Sequence, residues 1–441
     1  MTDEKTALRI EILRLASRYA ELTLTPGPFD ASASSVPVSG KVAGPEEMVN
    51  LVDSALDFWL TTGRFNDAFE QRLAGATQSR YALTVNSGSS ANLLAVTALT
   101  SPSLGEDALK SGDEVITCAT GFPTTVNPLL QNGLVPVFVD VSLPTYNIDT
   151  HALEAAITPR TRAVVLAHTL GNPFDLAAIT SLCKRHKLYL IEDCCDALGA
   201  RFDGKAVGTF GEIGTLSFYP AHHITTGEGG AVFTNSSRFK RILESVRDWG
   251  RDCWCPPGHD NTCKQRFSWQ LGGLPEGYDH KYIYSHAGYN LKMTDMQAAI
   301  GLAQLDRLEG FITRRNENFQ ALHAGLKKFE EVLILPEATP RAEPSWFGFP
   351  LTVRTGAPFT RAQLVKHLNQ ARIATRYLFG GNLIHQPYMR GRHFRVAGGT
   401  PNADLVMHAT LWIGTFPGLS PTHIDYMLDS FSSFFKRLPT A

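Results

Sequence analysis

From Tyr81 to about Tyr219 the sequence alternates between two hydrophobic periods, and this alternation restricts the fold more than any other feature. Short β-branched runs, "YALTVN", "DEVITCA", "VPVFVDV", "RAVVLAHT", "LYLIEDC" and "IGTLSFY", are separated by segments with helical spacing such as "SANLLAVTAL" and "DLAAITSLCKRH". Such a pattern predicts an α/β domain built on a mostly parallel sheet covered on both faces. Ligands of such sheets sit outside the carboxyl ends of the strands.

Past Arg307 the pattern changes to a long helix, "LDRLEGFITRRNENFQALHAGLKKF", then strand-like "WFGFPLTV" and a further helix, "TRAQLVKHLNQ", which reads as a smaller C-terminal α+β domain. At the other end Leu8, Ile12, Leu15, Tyr19 and Leu22 recur at spacings of four and three, the stripe of an amphipathic helix. The Pro-, Ser- and Gly-rich "TPGPFDASASSVPVSGKVAGPEE" reads as an arm, followed by a helix from about Pro45 to Trp59. The expected partition is therefore an arm over 1–44, a large domain over 45–310 and a small domain over 311–441.

A chain of 441 residues with 43% hydrophobic content can bury a large core, and a formal charge of −1 leaves no basic face for nucleic acid. The N-terminus carries charges throughout, unlike a secretion signal, and no apolar run reaches the roughly 18 residues of a membrane span. These features predict a soluble, cytoplasmic protein without nucleic-acid or membrane partners. In a reducing compartment its seven cysteines read as metal ligands, catalytic groups or buried thiols rather than disulfides.

Three strand ends carry candidate chemistry. "TVNSGSSANLLA" puts Ser87, Gly88, Ser89 and Ser90 between a strand and a helix, where backbone N–H groups can approach a phosphate; a plain helix cap is the alternative. "LYLIEDCCDALGA" ends an apolar strand on Glu192 and Asp193; a carboxylate there can hold the protonated nitrogen of a pyridine ring, or cap a helix. Phe122, in "TGFPTTVNP", can stack on a flat cofactor or simply pack in the core.

With "NSGSSANLLA", "GFPTT", "IEDCCDALGA", "SFYPAHHITTGEGGAVFTN" and "YNLKMTDMQAAIG" in the family's order and spacing, the chain resembles the DegT/DnrJ/EryC/StrS sugar aminotransferases, pyridoxal-phosphate enzymes of fold type I. The resemblance runs from Ser87 to about Gly301 and more loosely beyond. It implies that Gly88, Ser89 and Ser217 bind the cofactor phosphate, Phe122 stacks on the ring and Asp193 pairs with its nitrogen. It also implies that Asn290 reaches the phosphate of a neighbouring subunit, and hence a homodimer with shared sites. Arg376 and His385, in "ATRYLFGGNLIHQPYM", are candidates for meeting a sugar diphosphate, or ordinary surface residues.

Two positions depart from the family. Asp196 stands where Gln is usual, and His222 stands where the cofactor-tethering lysine belongs. Imidazole cannot form that tether, but its unperturbed pKa near 6.5 suits a general base. The adjacent His223 reads as structural. The same replacement occurs in a subgroup that the chain resembles, the 3-dehydrases of nucleotide-linked 4-keto-6-deoxyhexoses, which use pyridoxamine phosphate. The function this implies is reductive removal of the C3 hydroxyl, en route to a 3,6-dideoxysugar; a cluster-free dehydratase recharged by glutamate is the runner-up, and a cofactor-binding regulatory protein without catalysis is the non-enzymatic alternative.

Some members of the subgroup release the dehydrated sugar, whereas others reduce it through a 2Fe–2S cluster on the pattern C-x57-C-x-C-x7-C. Cys195, Cys253, Cys255 and Cys263 fit that spacing, with four thiolates the usual set for such a cluster and zinc the rival metal. The spacing selects Cys195 over Cys194, while Cys118 and Cys183 read as buried thiols. With no G-x-G-x-x-G after a strand, electrons would come from a partner, which the resemblance implies to be an NADH-dependent flavin and iron–sulfur reductase.

Overall fold

The computed structural model describes residues 2–25, 27–255 and 258–438; Pro26 of the arm and Pro256 and Pro257 of the cysteine loop lie outside the described residues. All six expected strands form, at Tyr81–Val85, Glu114–Cys118, Val135–Val139, Thr161–Ala167, Tyr189–Asp193 and Ile213–Ser217. They join Gly230–Thr234 and Arg395–Val396 in an eight-stranded sheet. Across the sheet the strands begin at residues 81, 230, 213, 189, 161, 114, 135 and 395. Every neighbouring pair is parallel except those of Gly230–Thr234, which runs antiparallel to both strands beside it.

Successive residues of a strand face opposite sides of a sheet. Ile116, Val164 and Leu190 accordingly belong to one apolar core, and Val115, Val165 and Ile191 to another. Burial on both faces explains the unbroken apolar runs in the sequence. The C-terminal part is the expected α+β unit, a three-stranded antiparallel sheet of Leu333–Ile334, Gly348–Val353 and Thr410–Gly414. Its core joins Phe349 and Leu351 to Leu364 of the helix Arg361–Gln370 and Phe431 of the helix Pro421–Lys436.

The structure differs from the sequence expectation in three places. The long helix spans Asp295–Leu326, starting at a capping box between Thr294 and Gln297, and runs unbroken through the expected boundary at 310. Arg395–Val396, from the C-terminal part, pairs with Val137–Phe138 at the edge of the large sheet. The first helix forms over Thr2–Thr23 and docks on Pro45–Asp57 through Arg9, which reaches Asp53 at 2.6 Å and Asp57 at 2.8 Å. Its inward face is Ile12, Ala16 and Ala20, while Leu8, Leu15, Tyr19 and Leu22 of the apolar stripe remain exposed.

Candidate active site

At the carboxyl ends of the parallel strands lies a cavity of about 1170 Å³, lined from the large domain, the C-terminal part and, through Ser39, the arm. Strand Tyr189–Asp193 delivers Asp193 to its floor, almost fully buried. The side chains of Thr125 and Asn92 donate to Asp193 Oδ2 at 2.7 and 2.8 Å, and the Cys195 amide donates to Oδ1 at 3.1 Å. These donors hold the buried carboxylate in one orientation.

Gly88 opens the helix Gly88–Leu99 beside the end of strand Ile213–Ser217. A Cβ on Gly88 would lie 2.4 Å from Ser217 Cβ and 3.2 Å from Cys195 Sγ, so only glycine permits this approach. The result is a helix N-terminus with Ser87 as its cap, the Ser89 side chain and Ser217 all facing the cavity, a cradle suited to a phosphate. Phe122, the residue before the helix Pro123–Gln131, also lines the cavity; it is about half exposed and has Phe379 edge-on at 5.9 Å, which leaves a ring face free for a flat partner.

His222 lies in the turn between the antiparallel strands Ile213–Ser217 and Gly230–Thr234 and lines the same cavity. Its Nδ1 is 3.4 Å from Asp196 Oδ1, an ion-pair separation without the alignment of a hydrogen bond. Burial raises the Asp196 carboxyl above its ordinary range, and the neighbouring imidazole partly offsets the shift. The His222 carbonyl accepts from Arg315 Nη2 at 3.2 Å, and Arg315 Nη1 donates to the Phe347 carbonyl at the same distance. Arg315 is fully buried, and burial pulls its guanidinium down to about 9 against the attraction of Asp196. Nothing in "TRRNEN" distinguishes Arg315 from an exposed helix residue, so its role is visible only in three dimensions.

His223 is buried behind the turn and meets the Ser345 carbonyl at 2.9 Å; burial drives its pKa well down, which matches the structural role expected of it. Arg376 lines the cavity, whereas His385 is exposed outside it, 3.0 Å from Asp404. Asn290 is exposed and does not line its own chain's cavity.

The four cysteines of the expected cluster do not converge in one group. Cys195 lines the cavity, its thiol pushed well up by burial and by Asp193. Among the described residues, the metal-ligating atoms that gather within 4.8 Å of one another near the loop are Cys253 Sγ, Cys263 Sγ and a ring nitrogen of His280. Cys255 joins them through its amide, 3.5 Å from Cys253 Sγ. Burial raises the Cys255 thiol, but hydrogen bonding to Thr262, the Cys263 amide and the neighbouring thiols outweighs it and brings the group down to about 7. Cys118 and Cys183 have thiols raised to about 12 by burial, as suits inert packing residues.

A model of the DegT/DnrJ/EryC1/StrS aminotransferase family matches residues 43–432. The chain belongs to this family. The lipopolysaccharide biosynthesis protein RfbH of Salmonella typhimurium is 59% identical over 428 residues, covering 97% of this chain and 98% of the relative. The dTDP-4-dehydro-2,6-dideoxy-D-glucose 3-dehydratase of Saccharopolyspora spinosa is 52% identical, covering 93% and 88% respectively. Among solved structures, a GDP-4-keto-6-deoxy-D-mannose 3-dehydratase of Escherichia coli with hydrated pyridoxal phosphate bound superposes with a TM-score of 0.81 at 30% identity, covering 90% of this chain and 98% of that one. The eight-stranded α/β architecture is thus that of fold type I pyridoxal-phosphate enzymes, and no described helix is long and apolar enough to cross a membrane.

Proposed function

We propose that this chain is a pyridoxamine-phosphate-dependent 3-dehydratase of a nucleotide-linked 4-keto-6-deoxyhexose. The observation that carries the reading is His222, an imidazole beside a carboxylate in the seat where the family's transaminating members carry lysine. Two named 3-dehydratases among the relatives and solved structures support the substrate class.

The residues present fit the cofactor. The cradle that a Cβ on Gly88 would fill suits its phosphate, together with Ser89 and Ser217, and Asp193 would hold the proton on its ring nitrogen. Phe122 would cover one face of the ring. Bound there, pyridoxamine phosphate would supply an amine for the sugar's C4 ketone and a ring that takes up the electron pair left when C4′ loses its proton and returns it toward the sugar as the C3 hydroxyl departs. His222 would take the proton from the cofactor's C4′ carbon, with Asp196 stabilising the imidazolium that results. Arg376, at the cavity wall formed by the C-terminal part, would meet the sugar's diphosphate. Asn290 would act in the site of a second subunit, since it lies outside its own.

His222→Asn should keep the fold and still bind pyridoxamine phosphate, but lose about 10²–10⁴-fold in sugar dehydration, together with solvent hydrogen exchange at C4′. Dehydration at the parental rate would place the base elsewhere, with His223 next to be tested.

Two routes complete the reaction. In the first, the product leaves by hydrolysis and glutamate restores the amine; a related 3-dehydratase has been crystallised with a pyridoxal-phosphate–glutamate adduct, which favours this route. In the second, a 2Fe–2S cluster and a flavin-containing iron–sulfur reductase deliver electrons for reductive removal of the hydroxyl. The observation favouring it is the convergence of Cys253, Cys255 and Cys263 in one loop. Iron and sulfide in anaerobically purified protein support the second route, and glutamate-dependent turnover of iron-free protein supports the first.

A further inference from the structure

The imidazole of His222 is aimed into the cavity without a hydrogen bond to aim it. Its Nδ1 stands 3.4 Å from Asp196 Oδ1 and has no hydrogen-bond partner among the described residues. The ring leans instead on that of Phe347, with centroids 5.3 Å apart and planes 35° from each other. The direction of such a side chain follows from where its backbone sits and from the wall behind it. One buried group touches both.

Arg315, inside the helix Asp295–Leu326, is the largest fully buried side chain among the described residues. Its Nη2 donates to the His222 carbonyl at 3.2 Å and to that of Ala221 at 3.5 Å, while Nη1 donates to the Phe347 carbonyl at 3.2 Å. A planar guanidinium keeps its donors at fixed angles, so carbonyls bound to one fork are fixed relative to each other. The helix is itself locked to the segment before Phe347: Asn316 Nδ2 donates to the Pro344 carbonyl at 3.1 Å, and Asn316 Oδ1 accepts from the Trp346 amide at 3.3 Å. Phe319, one turn further along, stacks on Trp346 at 3.8 Å and 4°. Arg315 Nε has no hydrogen-bond partner among the described residues. A buried cation left partly unsatisfied is destabilising, so packing alone favours an apolar side chain at this place, and the paired carbonyls favour arginine.

We propose that Arg315 is the positioning residue of the base: its fork ties the His222 carbonyl to the Phe347 carbonyl, and so holds the imidazole between the Phe347 ring and the Asp196 carboxylate, facing the cavity. This role rests on the reading of His222 as the base under the proposed function.

The test is a double-mutant cycle between Arg315→Met and His222→Asn in the full-length protein, read by solvent hydrogen exchange at the cofactor's C4′ carbon with the sugar present, and by sugar dehydration. Alone, Arg315→Met is expected to slow both about 10–100-fold, the effect of a misplaced catalytic group, with pyridoxamine phosphate affinity within about twofold of the parent. In the His222→Asn background it should add less than about twofold, because a group that acts through the imidazole then has nothing to position. Arg315→Lys, which keeps the charge without the fork, should fall between parent and Arg315→Met. In cofactor-free, histidine-labelled protein the His222 ring resonance, assigned by its loss in His222→Asn, should shift in Arg315→Met. If Arg315→Met does not fold, as judged by lost cofactor binding, Arg315→Lys takes its place in the cycle under the same criteria. Equal slowing in both backgrounds would overturn the proposal, as would parental exchange with an unmoved His222 resonance. His222→Asn at the parental rate is a separate outcome, which removes the base itself and overturns the functional reading and this role together.

Discussion

Asp196 is placed so that its protonation matters to both stability and rate. Burial raises its carboxyl above the roughly 3.9 of an unfolded aspartate. Between those two values the folded chain holds a proton that the unfolded chain has lost, so ionisation there costs stability as pH rises, and the loss levels off above the folded value. Asp196→Asn removes that cost. Chemical denaturation across a pH series should therefore show the variant gaining on the parent from about pH 4 upward, then reaching a constant difference. Activity should move the other way: under the proposed function Asp196 supports His222 as it takes the proton, so kcat should fall about 10–100-fold while pyridoxamine phosphate binding holds. A variant that is both less stable and equally active would remove Asp196 from the account. The carboxylate was legible as a departure at one motif position, because a strand end locates it. Arg315 was not, since its burial depends on a contact with His222 across 93 residues, and His280 escaped notice because 17 residues separate it from Cys263.

At the scale of elements, the cofactor seat depends on how closely a helix start approaches a strand end. Gly88→Ala would put a methyl group 2.4 Å from Ser217 Cβ, so the helix Gly88–Leu99 or the strand Ile213–Ser217 must move. Pyridoxamine phosphate affinity, measured by fluorescence or calorimetry, should fall by at least tenfold while the far-ultraviolet circular dichroism is retained; unchanged affinity would mean that the phosphate sits elsewhere. The six parallel-sheet strands were legible because burial on both faces leaves apolar runs with no polar alternation. The return strand Gly230–Thr234, although buried, was hidden because its five residues lie in a segment whose Gly-rich lead-in reads as a turn. For the cysteines, 57 intervening residues set no distance between Cys195 and Cys253 in the folded chain.

For the molecule as a whole, the exposed apolar residues call for a partner. Leu15, Tyr19 and Leu22 of the first helix are 50%, 62% and 78% exposed, and Phe58 is 77% exposed. Isolated exposed leucines need no explanation, but a stripe along one helix marks an interface. Under the proposed function that partner is a second copy, in whose cavity Asn290, which lies outside its own, would act. Sedimentation velocity should give a dimer for the parent chain and a monomer with much reduced activity for the double variant Leu15→Glu, Leu22→Glu; a fully active monomer would refute shared sites. The antiparallel return of Gly230–Thr234 has its own consequence. Parallel neighbours need a crossover of a dozen or more residues, usually helical, whereas an antiparallel pair can be joined by a compact turn over the strand ends. Here the connection 218–229 presents residue 222 to the cavity, and it is secured through backbone: the His222 amide donates to the Tyr219 carbonyl and the His222 carbonyl accepts from Arg315. Neither bond consults the side chain. A change of side chain at position 222 therefore leaves both of these bonds in place.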